Sequence, residues 1–201
     1  YDHLDKESIR KLTRTQQNIK FLVPLGLKSL LGEWGVRNVT ELDWWEPVLV
    51  DGVKIQPTPV KHWSKRTLFD RNKSLWAGWM MQWSDFVFYF VGDTGYSSAF
   101  KEIVKKLGKP DLAAIPIGAY EPRDFMKSAH INPEEAVKVF GDLDANYAIG
   151  IHWGTFKLSL EPMNEPPIRL KNALKAAGVN GKTFRTLKHG EMWPEVLPKE
   201  L

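Results

Sequence analysis

An α/β fold built on a mixed sheet is predicted by three features of the 201-residue sequence. Two hairpin patterns fill its first half, β–α alternation fills its second, and no repeat or linker divides it, so one domain spanning residues 1–201 is expected. In order, residues 8–17 read as a short polar helix, 20–24 as a strand and 25–34 as an apolar helix. Asp51-Gly52 between Val48–Val50 and residues 53–55 is a two-residue hairpin turn. A second hairpin of β-prone aromatic residues spans 75–83 and 86–91, split by Ser84-Asp85. Residues 98–107 then read as helix, 112–117 as a buried strand, 133–140 as helix, Tyr147–Ile151 as strand, 168–177 as helix and 183–187 as a last strand.

Composition narrows the class. With 43% hydrophobic and 26% charged residues, the chain has enough apolar surface for a real core. Cysteine is absent, which excludes disulfides and thiolate metal sites, so a metal would have to be held by histidine and carboxylate. A net charge of +4 mildly favours anionic partners. No apolar run approaches the roughly 20 residues of a spanning helix, so any membrane contact is expected to be peripheral and the location cytoplasmic or membrane-peripheral.

Three strand-like runs each lead to a residue able to bind metal. Residues 53–60 lead to His62, 86–91 to Asp93 and Tyr147–Ile151 to His152, while the chain opens on Tyr1-Asp2-His3-Leu4-Asp5. Strand ends are fixed points, and a metal site needs ligands on rigid backbone. Each residue alone has a plain alternative: a histidine after a strand often makes a turn hydrogen bond, and Gly92-Asp93-Thr94-Gly95 could be only a turn. The joint pattern is what points to chemistry. His130 stands just before Asn132-Pro133-Glu134-Glu135, a helix start in which Asn132 caps, Pro133 fills the first turn and Glu135 reaches back. A histidine so near a helix N-terminus suits a group that meets phosphate. His189 has no such setting and is read as surface. Lys65 and Arg66 follow His62, where they either contact phosphate or form a solvated turn. Nine Trp is a high count, and the pairs along the hairpins are read mainly as cross-strand packing, with an acyl groove or membrane interface as the functional alternative.

At these residues the sequence resembles a family. Asp2-His3 looks like the second half of the His-x-His-x-Asp-His motif of the metallo-β-lactamase superfamily, with His62, Asp93 and His152 following in that family's order. The stretches Pro59-Val60-Lys61-His62-Trp63-Ser64-Lys65-Arg66, Gly92-Asp93-Thr94-Gly95-Tyr96 and Ile149-Gly150-Ile151-His152-Trp153-Gly154-Thr155-Phe156 resemble its N-acylphosphatidylethanolamine-hydrolysing phospholipase D branch.

The resemblance implies an αββα sandwich, two Zn2+ ions, and hydrolysis of N-acylphosphatidylethanolamine to N-acylethanolamine and phosphatidic acid. It casts Asp93 as the carboxylate bridging both ions, Asp2, His3 and His152 as further ligands of the second, and His62 as a ligand of the first. His130 and Asp93 become the catalytic residues, with Tyr1, Lys65 and Arg66 near the substrate. The family's His-x-His pair would lie upstream of Tyr1, so the chain is expected to be the C-terminal portion of the domain, inactive alone and holding at most one tight metal. A phospholipid substrate, a peripheral membrane surface and a homo-oligomer are the expected partners, and nucleic acid is not. Two other functions remain open on the residues alone: a dinuclear hydrolase of a lactone or soluble phosphodiester, and a basic, aromatic nucleic-acid-binding module.

Overall fold

The computed structural model describes residues 3–16 and 18–193. The sheet is assembled from the hairpins outward. Strands β3 (Val48–Val50) and β4 (Val53–Thr58) pair antiparallel across Asp51-Gly52, whose φ values of 49° and 82° are the left-handed pair that a tight hairpin turn needs. Strand β4 pairs with β5 (Gly78–Gln82), and β5 with β6 (Val87–Phe90), again antiparallel. From β6 onward the pairing turns parallel, through β7 (Leu112–Pro116) and β8 (Tyr147–Ile151) to the two-residue β9 (Phe184–Arg185). The order β3-β4-β5-β6-β7-β8-β9 follows the chain, and the resulting mixed seven-stranded sheet is the α/β class expected.

Every residue of β7 is buried, as an unbroken apolar run in the parallel part of a sheet requires. Helices α3 (Ala99–Leu107), α5 (Pro133–Asp142) and α6 (Glu165–Ala176) supply Phe100, Ile103, Val139, Phe140 and Leu170 to the same core as Tyr89, Ile115 and Phe184. The capping box at Asn132 forms as read, with Oδ1 accepting from Glu135 N at 2.9 Å.

A second, smaller core lies in the N-terminal region. Helix α1 (Lys6–Thr15) starts at Asp5, which caps by accepting from Ser8 N, and contributes Ile9; strand β1 (Phe21–Pro24) contributes Val23, and α2 (Lys28–Glu33) Leu31. Strand β1 pairs in parallel with β2 (Val39–Leu42).

Several boundaries differ from the reading. The expected helix over 25–34 begins only at Lys28, because Gly26 takes a φ of +88° and its backbone lies against Lys73 and Ser74. The strand expected over 75–83 starts at Gly78. Strand β2 and the single turn α4 (Arg123–Met126) carry too little periodicity to be read from sequence.

Candidate metal centre

Topology gathers the ligand candidates on one edge. Strands β6, β7 and β8 are parallel, and β4, two antiparallel steps from β6, runs the same way, so the C-terminal ends of β4, β6 and β8 share a rim. His62, Asp93 and His152 follow those three ends. Ligand sites in open sheets sit at such rims.

Asp93 is the hub. Its carboxylate lies 3.5 Å from His3 Nε2 and 3.8 Å from His62 Nε2 through Oδ2, and 3.4 Å from His152 Nε2 through Oδ1. His3, Asp93 and His152 each offer a donor atom within 4.8 Å of the others. The fourth ring, His130, packs edge-on against His62 at 5.2 Å between centroids and stacks on His152 at 5.7 Å. Asp2 and Tyr1 lie outside the described residues. His189 is exposed, with its Nε2 3.3 Å from Thr155 Oγ1.

Local contacts fix each group. Gly95 N donates to Lys61 O at 2.7 Å and Lys61 N donates to Thr94 Oγ1 at 3.0 Å, which ties the segment carrying His62 to the one carrying Asp93. Trp76 Nε1 donates to Val60 O at 2.9 Å, bracing the same segment from the other side, and Trp44 Nε1 donates to Trp76 O. The tryptophans at 44 and 76 therefore have structural work, as the packing reading expected. A Cβ on Gly95 would stand 2.8 Å from Ser128 O, so only glycine lets the turn leading to His130 approach this closely. His130 is held by Met126 O on its N–H and by Arg123 Nη1 on its carbonyl, and Arg123 pairs in turn with Glu135 of the capping box.

His152 adopts a φ of +61°, an uncommon conformation for a residue with a side chain. Its carbonyl lies against Gly118, where any Cβ would collide with it. The loop containing Gly118 is gripped by Glu161, whose buried carboxylate accepts from the amides of Ala119 at 2.6 Å, Tyr120 at 3.3 Å and Glu121 at 3.0 Å. Burial alone would raise the Glu161 pKa; hydrogen bonds from Ser159 and the backbone outweigh it and hold the carboxyl below its ordinary range. This clamp was not legible beforehand, because Glu161 lies about 40 residues from the amides it binds.

Electrostatics separate the histidines. Burial, opposed by Asp93 and reinforced by His62, His152 and His3, pushes the His130 imidazole down to about 4, so it is neutral near pH 7 with one N–H and one lone pair. His152 is nearly buried, yet neither ring nitrogen has a hydrogen bond among the described residues. Buried nitrogens left without such bonds beside a carboxylate are what a metal site presents before its ion is considered, and the imidazole–carboxylate donor set suits a divalent cation. Lys65 is half-buried, while Arg66 Nη1 donates to Leu4 O at 2.8 Å and its guanidinium lies 5.1 Å from the centre of the Trp34 ring.

Residues 1–153 match the model of the family described as a beta-lactamase superfamily domain. The chain belongs to that superfamily. It is 44% identical over 96% of its length to N-acyl-phosphatidylethanolamine-hydrolyzing phospholipase D 1 of Caenorhabditis elegans, and 38% identical over 91% to the mitochondrial enzyme of that name from Saccharomyces cerevisiae. It spans 58% and 40% of those two proteins. In fold it resembles Igni18, a metallo hydrolase of Ignicoccus hospitalis, with a TM-score of 0.69 at 22% identity, covering 90% of this chain and 70% of that one. The family match and the two relatives bear out the family resemblance read from the His62, Asp93 and His152 motifs, and a fold of this family implies divalent metal ions.

Proposed function

We propose that this chain carries the catalytic face of a zinc-dependent phosphodiesterase that hydrolyses N-acylphosphatidylethanolamine to N-acylethanolamine and phosphatidic acid. The observation that carries the reading is the convergence of His3, His62 and His152 on the one carboxylate of Asp93, with a neutral His130 packed against two of those rings. The similarity to two phospholipases D of that specificity supports the choice of substrate.

Asp93, His152 and His3, with Asp2, would hold one ion, and Asp93 with His62 would contribute to a second. When bound, two divalent cations supply Lewis acidity toward a phosphoryl oxygen and a water nucleophile at neutral pH. The remaining work falls to side chains. Asp93 fixes the spacing of the imidazoles around it. His130 donates its single N–H to a phosphoryl oxygen as charge builds, or passes that proton to the departing ethanolamine oxygen. Hydrolysis breaks the bond from phosphorus to that oxygen, and the water oxygen stays on phosphatidic acid. Lys65 and Arg66, three and four residues after His62, are the proposed cationic contacts for the phosphate. Tyr1 is proposed to adjoin the same site.

The test is product analysis with the metal-loaded intact protein, upstream segment included, on N-acylphosphatidylethanolamine, soluble phosphodiesters and lactones side by side, with metal content measured on the same preparation. Release of N-acylethanolamine with zinc bound is expected. Turnover of soluble diesters or lactones alone would overturn the lipid assignment while leaving a metal hydrolase.

A further inference from the structure

A lipid phosphodiester lies at headgroup depth in a bilayer, so a site that cuts it there must bring its rim into the interfacial layer. The rim of this site has the chemistry for that. Among the described residues, nine large hydrophobic side chains are more than half exposed, and six of them, Leu68, Phe69, Phe125, Phe156, Leu158 and Leu160, at 53–84% exposed, fall in three short segments. Each segment adjoins a site histidine: 63–73 begins directly after His62, 123–128 ends two residues before His130, and 154–163 begins two residues after His152. Such side chains gain nothing by standing in water, and their concentration in segments that adjoin the site histidines sets them apart from the scattered apolar residues of an ordinary surface.

Charge gives the second observation. Segment 63–73 holds Lys65, Arg66, Arg71 and Lys73 against Asp70 alone, and the Asp70 carboxylate accepts from the amides of Arg66 and Thr67 at 3.0 and 2.8 Å. In 154–163 the one cation is Lys157, and the one acid, Glu161, is buried on backbone amides. Segment 123–128 has Arg123 and Lys127 against Asp124. Trp63 lies between the two chemistries, its ring at the rim and the Arg71 guanidinium 5.6 Å from its centre, an arrangement suited to the headgroup layer. No helix among the described residues is long and apolar enough to cross a membrane.

We propose that segments 63–73, 123–128 and 154–163 form a docking surface for an anionic lipid bilayer. Leu68, Phe69, Phe125, Phe156, Leu158 and Leu160 enter the headgroup–acyl boundary while Arg71, Lys73 and Lys157 meet anionic headgroups. The proposal rests on the lipid-substrate reading for its purpose, but docking itself needs no substrate. A protein partner is disfavoured by the observations, since exposed apolar side chains interspersed with cations along short segments match a charged interface with no fixed shape of its own.

The experiment is flotation of the metal-loaded protein with vesicles free of any N-acylated lipid, of phosphatidylcholine alone or with about 30 mol % phosphatidylserine. Each basic residue near the surface is worth about fivefold in partition, so the anionic vesicles should bind the protein at least about tenfold better. L68S/F69S and F125S should each lower that binding by about tenfold, and R71E/K73E should abolish the preference for anionic lipid. Melting temperature and far-ultraviolet circular dichroism should be unchanged in these variants, which shows their fold is intact. Equal binding to both vesicles, no binding to either, or serine variants that bind like the unaltered protein would overturn the proposal. Docking without hydrolysis of N-acylphosphatidylethanolamine by the intact protein would uphold the surface and sink the substrate reading instead.

Discussion

The two regions that meet at Asp93 are supported very differently. His62, Asp93 and His152 leave strands of the seven-stranded sheet, over the large core of Tyr89, Ile115, Phe140 and Phe184, and their side chains are 12%, 18% and 14% exposed. His3 comes from the N-terminal region, whose own core is the small cluster around Ile9, Val23, Leu31 and Val39, and its side chain is 58% exposed. One described tie from that segment to the sheet-borne side is the Arg66 bond to Leu4 O, with Arg66 also over Trp34. The difference teaches that the sheet builds most of the site in advance, whereas the N-terminal segment is brought to it by a few local contacts.

The sharpest way to break the comparison is at the hub. In the intact protein Asp93→Ala should strip the carboxylate that both regions face, emptying metal from both and lowering turnover by at least about 10³-fold, as read by metal analysis and steady-state rates. Next in size, His130→Ala should lower turnover by about 10²- to 10⁴-fold while metal content stays near normal, since His130 packs on the ligand rings without being cast as a ligand. Metal lost along with activity would move His130 into the ligand set.

The sheet-borne side can be loosened without touching a ligand. Glu161→Gln keeps one acceptor oxygen where three amides donate, so the loop against His152 should relax and metal affinity fall by about 10-fold, read by competition with a chelator. A variant elsewhere in the core with an equal fall in Tm, such as Leu170→Ala, should keep that affinity. The clamp also has a pH signature. Because the folded pKa of Glu161 lies below its ordinary value, its stabilisation is fully present above about pH 4.5 and is lost as pH falls through the folded pKa. The glutamine variant should lack that part of the acid transition in a thermal-melt series. The smallest effect is expected from the N-terminal side: Arg66→Ala removes the exposed bond to Leu4 O and the ring contact with Trp34 among its interactions, and should weaken metal binding through His3 by about three- to tenfold with little change in Tm. A larger loss than Glu161→Gln gives would invert the ranking of the two regions.

Much of this was legible in the chain. The Asp51-Gly52 turn, the capping box at Asn132 and the aromatic hairpin around Ser84-Asp85 are local signals, and each formed where local chemistry put it. The positions of His62, Asp93 and His152 after strand-like runs were visible for the same reason, since strand ends are read from neighbouring residues. Strand β2 was not, because four residues in a two-stranded parallel pair take their stability from β1, about 18 residues away, rather than from their own pattern.

The sequence by itself determined the residue types, their order and the elements that carry them: imidazoles and a carboxylate at strand ends, a capped helix behind His130, and no thiol to compete for metal. Only the tertiary structure decided that those ends share a rim, because that depends on the sheet switching from antiparallel to parallel at β6. It also decided the neutral state of His130, which follows from burial among three other histidines, and the grip of Glu161 on the loop behind His152. These are properties of distance through space. A chain read one residue after another holds the groups but not the separations between them, and at this site it is the separations that set charge and geometry.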